Sequence, residues 1–322
     1  MDGSIPPSDA TEEWSETDRA LLEDAIAGLG SSKKHLSPKW LYDQRGSELF
    51  EEITKLDEYY PTRTETAILR RHARELAALV PADGSLVELG SGASVKTRIL
   101  LDAGQHFGTY VPIDISEDFL HLTADDLRRR YPQLDVRPVV SDFTGPVELP
   151  EDLKANPKIG FFPGSTIGNL DPVVARQLLE NAHAWPGVEG FILGADLVKD
   201  VDELVAAYDD SKGVTASFIS NVLVRLNHDL AADFDLSAFD YRARWDADLA
   251  RIDMVLVSIC AQTATLAGQS FSFESGEEIH VSAARKYTRD SIEALAQSAG
   301  WAVEDTLSDD DNKFAVCLLR PL

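Results

Sequence analysis

The feature that most constrains this chain is an apolar run that leads directly into a glycine turn, in the sequence LVELGSGAS. The run over residues 86–89 predicts a buried strand, and a helix is predicted to follow from Lys96 to Ala103. Further apolar runs alternate with helical patterns along the chain, at 110–113, 136–140, 159–162 and 190–194. Strands that alternate with helices are typical of a parallel, doubly wound sheet, so we expect an α/β fold.

The pattern changes after Asp196, where helical segments are followed by strands of a different kind. In these later strands apolar and polar residues alternate, which is typical of an antiparallel sheet covered on one face. They are predicted at 241–246, 251–261 and 269–273. The apolar run 314–319 is expected to return to the main sheet.

These patterns predict two domains and a tail. Residues 64–198 plus 289–322 are expected to form a Rossmann-like sheet domain. Residues 15–63 plus 199–288 are expected to form a second, mixed α+β domain. Residues 1–14 are predicted to be a flexible tail, because they are polar and lack a helical or strand-like pattern.

The charge balance limits the partners of the chain. Among 322 residues, 30 are Lys or Arg and 55 are Asp or Glu, which gives a formal net charge of −25. A field this negative repels phosphate backbones and anionic lipid surfaces, so we expect neither nucleic acid nor a membrane as a partner. No apolar run reaches the ~18 residues of a membrane-spanning helix. The expected partner is a small molecule, bound by a monomer.

Cysteine usage and the N-terminal sequence indicate the compartment. Cys260 and Cys317 are the only cysteines, which is too few for a disulfide framework, and no set of zinc ligands occurs. The acidic sequence MDGSIPPSDATEE lacks the apolar segment of a signal peptide. We therefore predict a cytoplasmic protein without a bound metal.

The glycine turn itself narrows the choice of ligand. Gly90 and Gly92 follow the first strand, but Val95 stands where a dinucleotide-binding fingerprint has its third glycine. That glycine allows close packing around a pyrophosphate, so its absence disfavours an NAD-dependent oxidoreductase. S-adenosylmethionine (SAM) combines an adenosine, a sulfonium and an amino acid, and has no pyrophosphate. Glu88 is expected near the cationic end of this ligand.

Side chains after the next two strands fit the same ligand. Asp114 ends the second strand at about the spacing, ~20 residues, at which an acid accepts hydrogen bonds from ribose hydroxyls. Asp142 can accept from an adenine amino group, Phe143 supplies an apolar face, and Lys96 can hold the carboxylate of SAM. Taken singly, each acid is equally well explained as a helix cap or a solvated strand end, and Lys96 as a surface lysine.

Long motifs, in order along most of the chain, carry a family resemblance. From about Leu29 to the C-terminus the sequence resembles the histidine-specific amino acid α-N-methyltransferases of the ergothioneine pathway, some members of which act on tryptophan derivatives. The motifs are WLYDQRGSELFEEIT, DEYYPTRTE, VELGSGASVKTR, FPGSTIGNLDP, ADLVKD, AAYDD, GVTASFISNVL and DFDLSAF. The resemblance implies a SAM-binding methyltransferase domain and a second domain that binds the substrate.

The resemblance also implies roles for individual residues. Cofactor contacts are implied at Gly90, Lys96, Asp114, Asp142 and Phe143. The substrate's carboxylate and amino group are held by Asn169 and Tyr208, with Tyr42 close to the amine. Other implied substrate contacts are Tyr59, which faces a ring nitrogen, Gly164, which allows close backbone approach, and Phe218 and Met254, which line the pocket.

One segment departs from the pattern of histidine-specific members. Those members grip the imidazole nitrogen with a Glu and a Ser that follow the shared GEE, whereas this chain has Ser282 and Ala284 at the matching positions. A buried imidazole N–H without a partner costs about 1–3 kcal/mol. The substrate is therefore predicted to be histidine or a related aromatic amino acid. His280 and Glu278 are nearby polar alternatives for the grip.

Methyl transfer to an amine is an in-line displacement at the sulfonium carbon, so the amine must be neutral. We expect the protein mainly to position the reactants and exclude water. Tyr42, Tyr59 and Tyr208 are the predicted catalytic residues, which orient the amine or relay its proton, and three rounds would give a trimethyl betaine. The alternative function is that of a non-catalytic homologue that binds a small metabolite.

Overall fold

The computed structural model describes residues 14–104 and 106–322. The tail predicted over residues 1–14 therefore lies, except for Trp14, outside the described residues. The helices are α1 (Glu16–Leu29), α2 (Gln44–Ile53), α3 (Tyr60–Arg71), α4 (Ala73–Ala77), α5 (Val95–Ala103), α6 (Glu117–Arg130), α7 (Pro172–His183), α8 (Val201–Ala206), α9 (Val214–Asp229) and α10 (Arg289–Ser298). None of these described helices combines the length and the apolar character needed to cross a bilayer.

The strands are short in the first half of the chain and longer in the second. They are β1 (Ser85–Leu89), β2 (Thr109–Asp114), β3 (Asp135–Val136), β4 (Val139–Val140), β5 (Lys158–Phe162), β6 (Val188–Asp196), β7 (Phe239–Asp246), β8 (Arg251–Ser258), β9 (Gln262–Leu266), β10 (Gln269–Phe273), β11 (Glu278–Arg285), β12 (Trp301–Ser308) and β13 (Phe314–Pro321).

Contacts divide the chain into two compact units. The first, here called the sheet unit, comprises Tyr60–Asp200, Leu249–Arg251 and Ala284–Leu322. The second, here called the aromatic unit, comprises Val201–Asp248, Ile252–Ala283 and, of the N-terminal segment, the described residues up to Tyr59. Strands β8 and β11 each begin or end in the sheet unit and run through the aromatic unit.

The sheet unit is built on a mostly parallel sheet. In the described chain the strand order is β12-β13-β6-β5-β1-β2-β3, and β4 also pairs with β2. The neighbours from β6 to β4 are parallel, whereas β13 is antiparallel to both β6 and β12. The predicted α/β, Rossmann-like fold class and the return of the 314–319 strand to the main sheet are thus confirmed.

Two apolar cores cover the two faces of this sheet. Val87 and Phe162 belong to one core, while their chain neighbours Leu86 and Phe161 belong to the other. Successive side chains of a strand point to opposite faces, so strands that are buried on both sides need continuous apolar runs. This is why the apolar runs in the sequence predicted β1, β2, β5 and β6 closely.

The aromatic unit combines helices α1, α2, α8 and α9 with two small sheets. One sheet has the order β11-β8-β7, and the other is the antiparallel pair β9 and β10. Ser15 caps α1 and forms a capping box with Asp18. Helix α2 packs against α9.

Several predicted element bounds were wrong. The spacing of apolar residues over residues 65–79 predicts one helix, whereas the structure has two, α3 and α4. Helix α3 already begins at Tyr60, and Pro61 is tolerated in its first turn. The strand predicted over 136–140 is interrupted at Pro138, which has no N–H to donate. Ser116 is a residue type that favours the N-cap position, and the sequence predicts it to cap α6, but its side chain makes no cap bond there.

Candidate active site

The turn after β1 has the backbone geometry that only glycine adopts easily. Gly90 has φ of +65° and Gly92 has φ of +48°. The Gly90 amide donates to the carbonyl of Ile113 at 2.8 Å, and the Gly92 amide donates to Asp114 Oδ2 at 2.9 Å. The turn is therefore fastened to the end of the neighbouring strand β2.

Asp114 has two backbone partners. Besides the Gly92 amide, its other oxygen accepts from the amide of Ser116 at 3.0 Å. A carboxylate has about four acceptor sites, so these two bonds leave capacity for ribose hydroxyls. Asp114 is half-buried, at the carboxyl edge of the sheet where ligands of open α/β folds bind.

Phe143 lies against the glycine turn. A Cβ placed on Gly90 would lie 3.2 Å from Phe143 Cε1, a tight contact that would require the ring to shift by a few tenths of an ångström. The ring also packs edge-on against Phe162, with centroids 5.4 Å apart. Asp142 is exposed, and its Oδ1 accepts from the amide and hydroxyl of Thr144. The structure thus brings Gly90, Asp114 and Phe143 together.

Glu88 lies behind the turn and is almost fully buried, with 2% of its surface exposed. Its carboxyl group accepts hydrogen bonds from the hydroxyls of Thr97 and Tyr110. Burial raises the pKa of Glu88 to about 8, although these two bonds act in the opposite direction. At neutral pH this group is therefore mainly uncharged.

Lys96 and Gly164 share a partner that sequence analysis did not single out. The Lys96 ammonium pairs with the carboxylate of Glu65, which is fully buried in α3. The Gly164 amide donates to both carboxylate oxygens of Glu65 at 2.9 Å. Glu65 lies in the DEYYPTRTE motif, and an acidic residue among the apolar residues of a helix face is the signal that could have indicated it.

The loop after β5 carries Gly164 and ends in a short 3-10 helix, Thr166–Asn169. Ser165, with φ of +56°, accepts a hydrogen bond at its hydroxyl from the amide of Asp196 at 2.9 Å. The Tyr287 hydroxyl donates to the carbonyl of Ile167 at 3.3 Å. Asn169 is half-buried at the end of this loop. Several elements of the sheet unit therefore hold the loop in place.

A second buried carboxylate lies at the end of β6. Asp196 is fully buried and pairs with Lys199 at 2.6 Å and with Lys286 at 2.7 Å. The Tyr60 hydroxyl donates to Asp196 Oδ2 at 2.8 Å. The motif ADLVKD contains Asp196 and Lys199. The cluster was not predicted, because Tyr60 and Lys286 are distant from this motif along the chain.

In the aromatic unit, contacts between aromatic rings connect most of the residues that are predicted to bind the acceptor amino acid. Tyr59 packs edge-on against Tyr208 at 5.8 Å and against Phe50 at 6.4 Å. Tyr42 packs edge-on against Phe218 at 5.5 Å and Phe50 at 5.8 Å, and Phe50 is 5.9 Å from Phe218. Phe50, at the centre of this aromatic cluster, was not predicted as a site residue.

The remaining predicted residues are buried on strands. Met254 lies on β8, and Ser282 and Ala284 lie on β11. Ser282 belongs to the aromatic unit and Ala284 to the sheet unit. In residues 14–104 and 106–322 no cluster of three or more His, Cys, Asp or Glu side chains has the geometry of a metal site.

Comparison with known proteins decides the family. A family model described as "Histidine-specific methyltransferase, SAM-dependent" matches residues 21–321. The chain belongs to this family. It is 40% identical over 309 residues to histidine N-alpha-methyltransferase of Mycolicibacterium smegmatis, a match that covers 93% of this chain and 94% of the relative. It is 42% identical over 308 residues to the protein of the same name from Mycobacterium tuberculosis, with the same coverage.

A more distant relative has a less specific name. N-methyltransferase imqF of Aspergillus flavus is 25% identical over 307 residues, which covers 91% of this chain and 83% of that protein. Family membership confirms the resemblance that the motifs indicated, the enzyme class of a methyltransferase and SAM as the methyl donor. The roles of individual residues stay predictions.

Proposed function

We propose that this histidine-specific family member transfers methyl groups from SAM to the α-amino group of histidine. The observation that carries the proposal is the match over 93% of the chain to two proteins named histidine N-alpha-methyltransferase. The glycine turn of β1, with Asp114 and Phe143 beside it, supports it independently. The protein is further proposed to act as a cytoplasmic monomer.

The residues at the carboxyl edge of the sheet fit SAM. A Cβ on Gly92 would meet no atom within 4 Å, so the turn has open space where a ligand can approach the backbone. Asp114 is proposed to bind the ribose, Asp142 and Phe143 the adenine, and Lys96 the carboxylate. Glu88 is proposed to lie under the cationic end. When bound, SAM supplies an electrophilic methyl carbon on its sulfonium.

The aromatic cluster is proposed to contact the acceptor amino acid. Tyr59, Tyr208 and Phe218 are buried, and such a setting disfavours the charged form of an amine and so helps it lose its proton. Ring faces also stabilise the cationic product. Tyr42, which is partly exposed, is proposed to orient the amine or relay the released proton.

In the sheet unit, Asn169 is proposed to bind the acceptor's carboxylate, and Gly164 to allow close approach of the substrate. The hydrogen bonds of the loop that carries both residues support this assignment, since a site on a fixed loop spends little binding energy on ordering itself. Tyr208 is proposed to act on the same amino acid.

A related aromatic amino acid is the alternative acceptor. Ser282 and Ala284 favour it, because neither side chain has the charge of a carboxylate that would accept strongly from an imidazole N–H. Both residues are buried, so water is a poor substitute for that missing acceptor.

Mass spectrometry with isotope-labelled SAM tests the proposal. The purified protein is incubated with each of the twenty amino acids, and we expect histidine to gain one, two or three labelled methyl groups. Asp114→Ala should abolish turnover and weaken SAM binding, while Asp118→Ala, in the exposed first turn of α6, should not. Turnover of another amino acid but not of histidine would establish the alternative acceptor. Absence of SAM binding by the wild-type protein would contradict the function altogether.

A further inference from the structure

Glu65 is a fully buried carboxylate with partners on two different parts of the candidate site. Its oxygens accept from the Gly164 amide at 2.9 Å each, and one of them pairs with the Lys96 ammonium. Burying a carboxylate is costly unless it is paired and hydrogen-bonded, and here both conditions hold. Glu65 is separated in sequence from Gly164 by 99 positions, so the contact is made only in the folded chain.

The surrounding glycines leave space for this carboxylate. A Cβ on Gly194 in β6 would lie 2.2 Å from Glu65 Oε1, which real atoms do not tolerate. A Cβ on Gly164 would lie 3.3 Å from Lys96 Nζ. The carboxylate, the ammonium and the Gly164 amide therefore occupy a space that admits little rearrangement.

One partner of Glu65 is proposed to bind the methyl donor, and the other lies on the loop proposed to bind the acceptor. Lys96 lies in the first turn of α5, directly after the glycine turn proposed to bind SAM. Gly164 begins the loop that ends at Asn169, which is proposed to bind the acceptor's carboxylate. A lysine ammonium has three donors, so its pairing with Glu65 is compatible with a further bond to the carboxylate of SAM.

We propose that Glu65 is a positioning residue that fixes the donor-binding Lys96 and the acceptor-binding loop through one buried carboxylate. This inference rests on the proposed methyltransferase function. It assigns Glu65 no contact with either substrate. Its effect on rate comes through geometry, because a displacement of about 1 Å in a reacting pair can cost 100-fold.

Three variants separate positioning from simple support of the fold. Glu65→Gln keeps an oxygen that can accept from Gly164 but removes the charge that pairs with Lys96. Gly194→Ala keeps the charge but displaces the carboxylate. Lys96→Met removes the other ion. The SAM dissociation constant is measured by calorimetry, kcat and KM for the acceptor by labelled methyl transfer, and the melting temperature by circular dichroism.

We expect Glu65→Gln to weaken SAM binding about tenfold, as loss of a charge-assisted bond implies. Gly194→Ala should lower kcat about tenfold or more while it leaves the charge of the pair unchanged. In the Lys96→Met background, Glu65→Gln should change SAM affinity less than twofold, because its effect acts through Lys96. Glu293→Gln, on the exposed side of α10, is the control and should match the wild type.

Three results overturn the inference. One is a Glu65→Gln protein that melts at a lower temperature but has wild-type SAM affinity and kcat, since that is the behaviour of a purely structural residue. The second is full additivity of Glu65→Gln and Lys96→Met. The third is Gly194→Ala with an unchanged kcat. SAM affinity is measured without an acceptor, so a wild-type protein that binds SAM but does not methylate histidine refutes the proposed acceptor and still tests Glu65.

Discussion

At the scale of single residues, the buried carboxyl groups of the sheet unit have two kinds of partner. Glu65 and Asp196 are paired with lysine ammonium groups. Glu88 instead accepts hydrogen bonds from the hydroxyls of Thr97 and Tyr110, and burial raises its pKa to about 8. Residue type in the sequence does not distinguish these cases, because the difference comes from partners that only the fold brings near.

The raised pKa of Glu88 predicts how stability depends on pH. Between the ordinary value of 4.5 and about 8 the folded state holds a proton that the unfolded state has released, so the contribution of Glu88 is full below pH 4.5 and is lost as pH rises to about 8. Glu88→Gln should remove this pH dependence, in which the free energy of unfolding falls by at most about 1.4 kcal/mol per pH unit. Urea unfolding at several pH values in this window measures it.

Exposed Glu293 in α10 provides the matched control for this measurement. Glu293→Gln should keep the wild-type fall in unfolding free energy with pH. If Glu88→Gln and the wild type show parallel pH profiles, Glu88 is already ionised in the folded protein and its assigned environment is wrong.

Substitutions at positions 282 and 284 are expected to change which amino acid the protein prefers as methyl acceptor. Ser282→Glu combined with Ala284→Ser would supply an anionic acceptor and a hydroxyl on β11. A charge-assisted bond to an imidazole N–H should raise kcat/KM for histidine about tenfold relative to other aromatic amino acids. Competition assays with paired labelled amino acids measure the ratio. Ser282→Val with Ala284→Ser lacks the carboxylate and should give no gain, and an equal gain in both variants would refute the explanation.

At the scale of elements, continuous apolar runs predicted the strands that are buried on both faces, and alternating patterns predicted β7, β8 and β10, whereas β11 and β12 were missed. Strand β12 was not predicted, because the register with β13 shifts between Val303 and Asp305 and this bulge interrupts the alternation of side chains. Strand β11 lies in a motif whose polar residues conceal its alternating buried positions. Of the candidate site, the glycine turn and the acids after the strands were local signals, whereas Glu65 and the Asp196 cluster depend on contacts between distant elements.

Substitution of Gly164, in the loop after β5, is expected to lower kcat/KM in addition to the stability that backbone strain costs. Gly164→Ala would place a methyl group 3.3 Å from Lys96 Nζ at φ of +86°. Strain alone costs about 1–3 kcal/mol of stability. Displacement of the loop or of Lys96 should in addition lower kcat/KM between about 10-fold and 100-fold.

Gly276→Ala is the control for that strain. Gly276 has φ of +87°, but a Cβ there would meet nothing within 4 Å. Unfolding free energies and steady-state kinetics of both variants are compared. We expect both variants to lose similar amounts of stability and only Gly164→Ala to lose kcat/KM. Equal kinetics in the two variants would show that the loop does not need this geometry.

At the scale of the whole molecule, the net charge of −25 and the family agree on the class of ligand. Such a surface disfavours polyanions and does not oppose SAM, whose sulfonium is cationic. Composition therefore gives an expectation against polyanionic partners, and only the motifs and the fold could indicate the chemistry.

The position of β13 in the sheet has a consequence for biosynthesis. Phe314 pairs with Asp196 and Leu319 with Phe191, so the edge of β6 is covered by a strand that the ribosome makes much later. Until that segment emerges, the nascent chain presents an open row of backbone donors and acceptors on β6, which invites pairing with the wrong chain. The ribosome must therefore translate α8, α9 and β7 to β12 before β13 can cover this edge of β6.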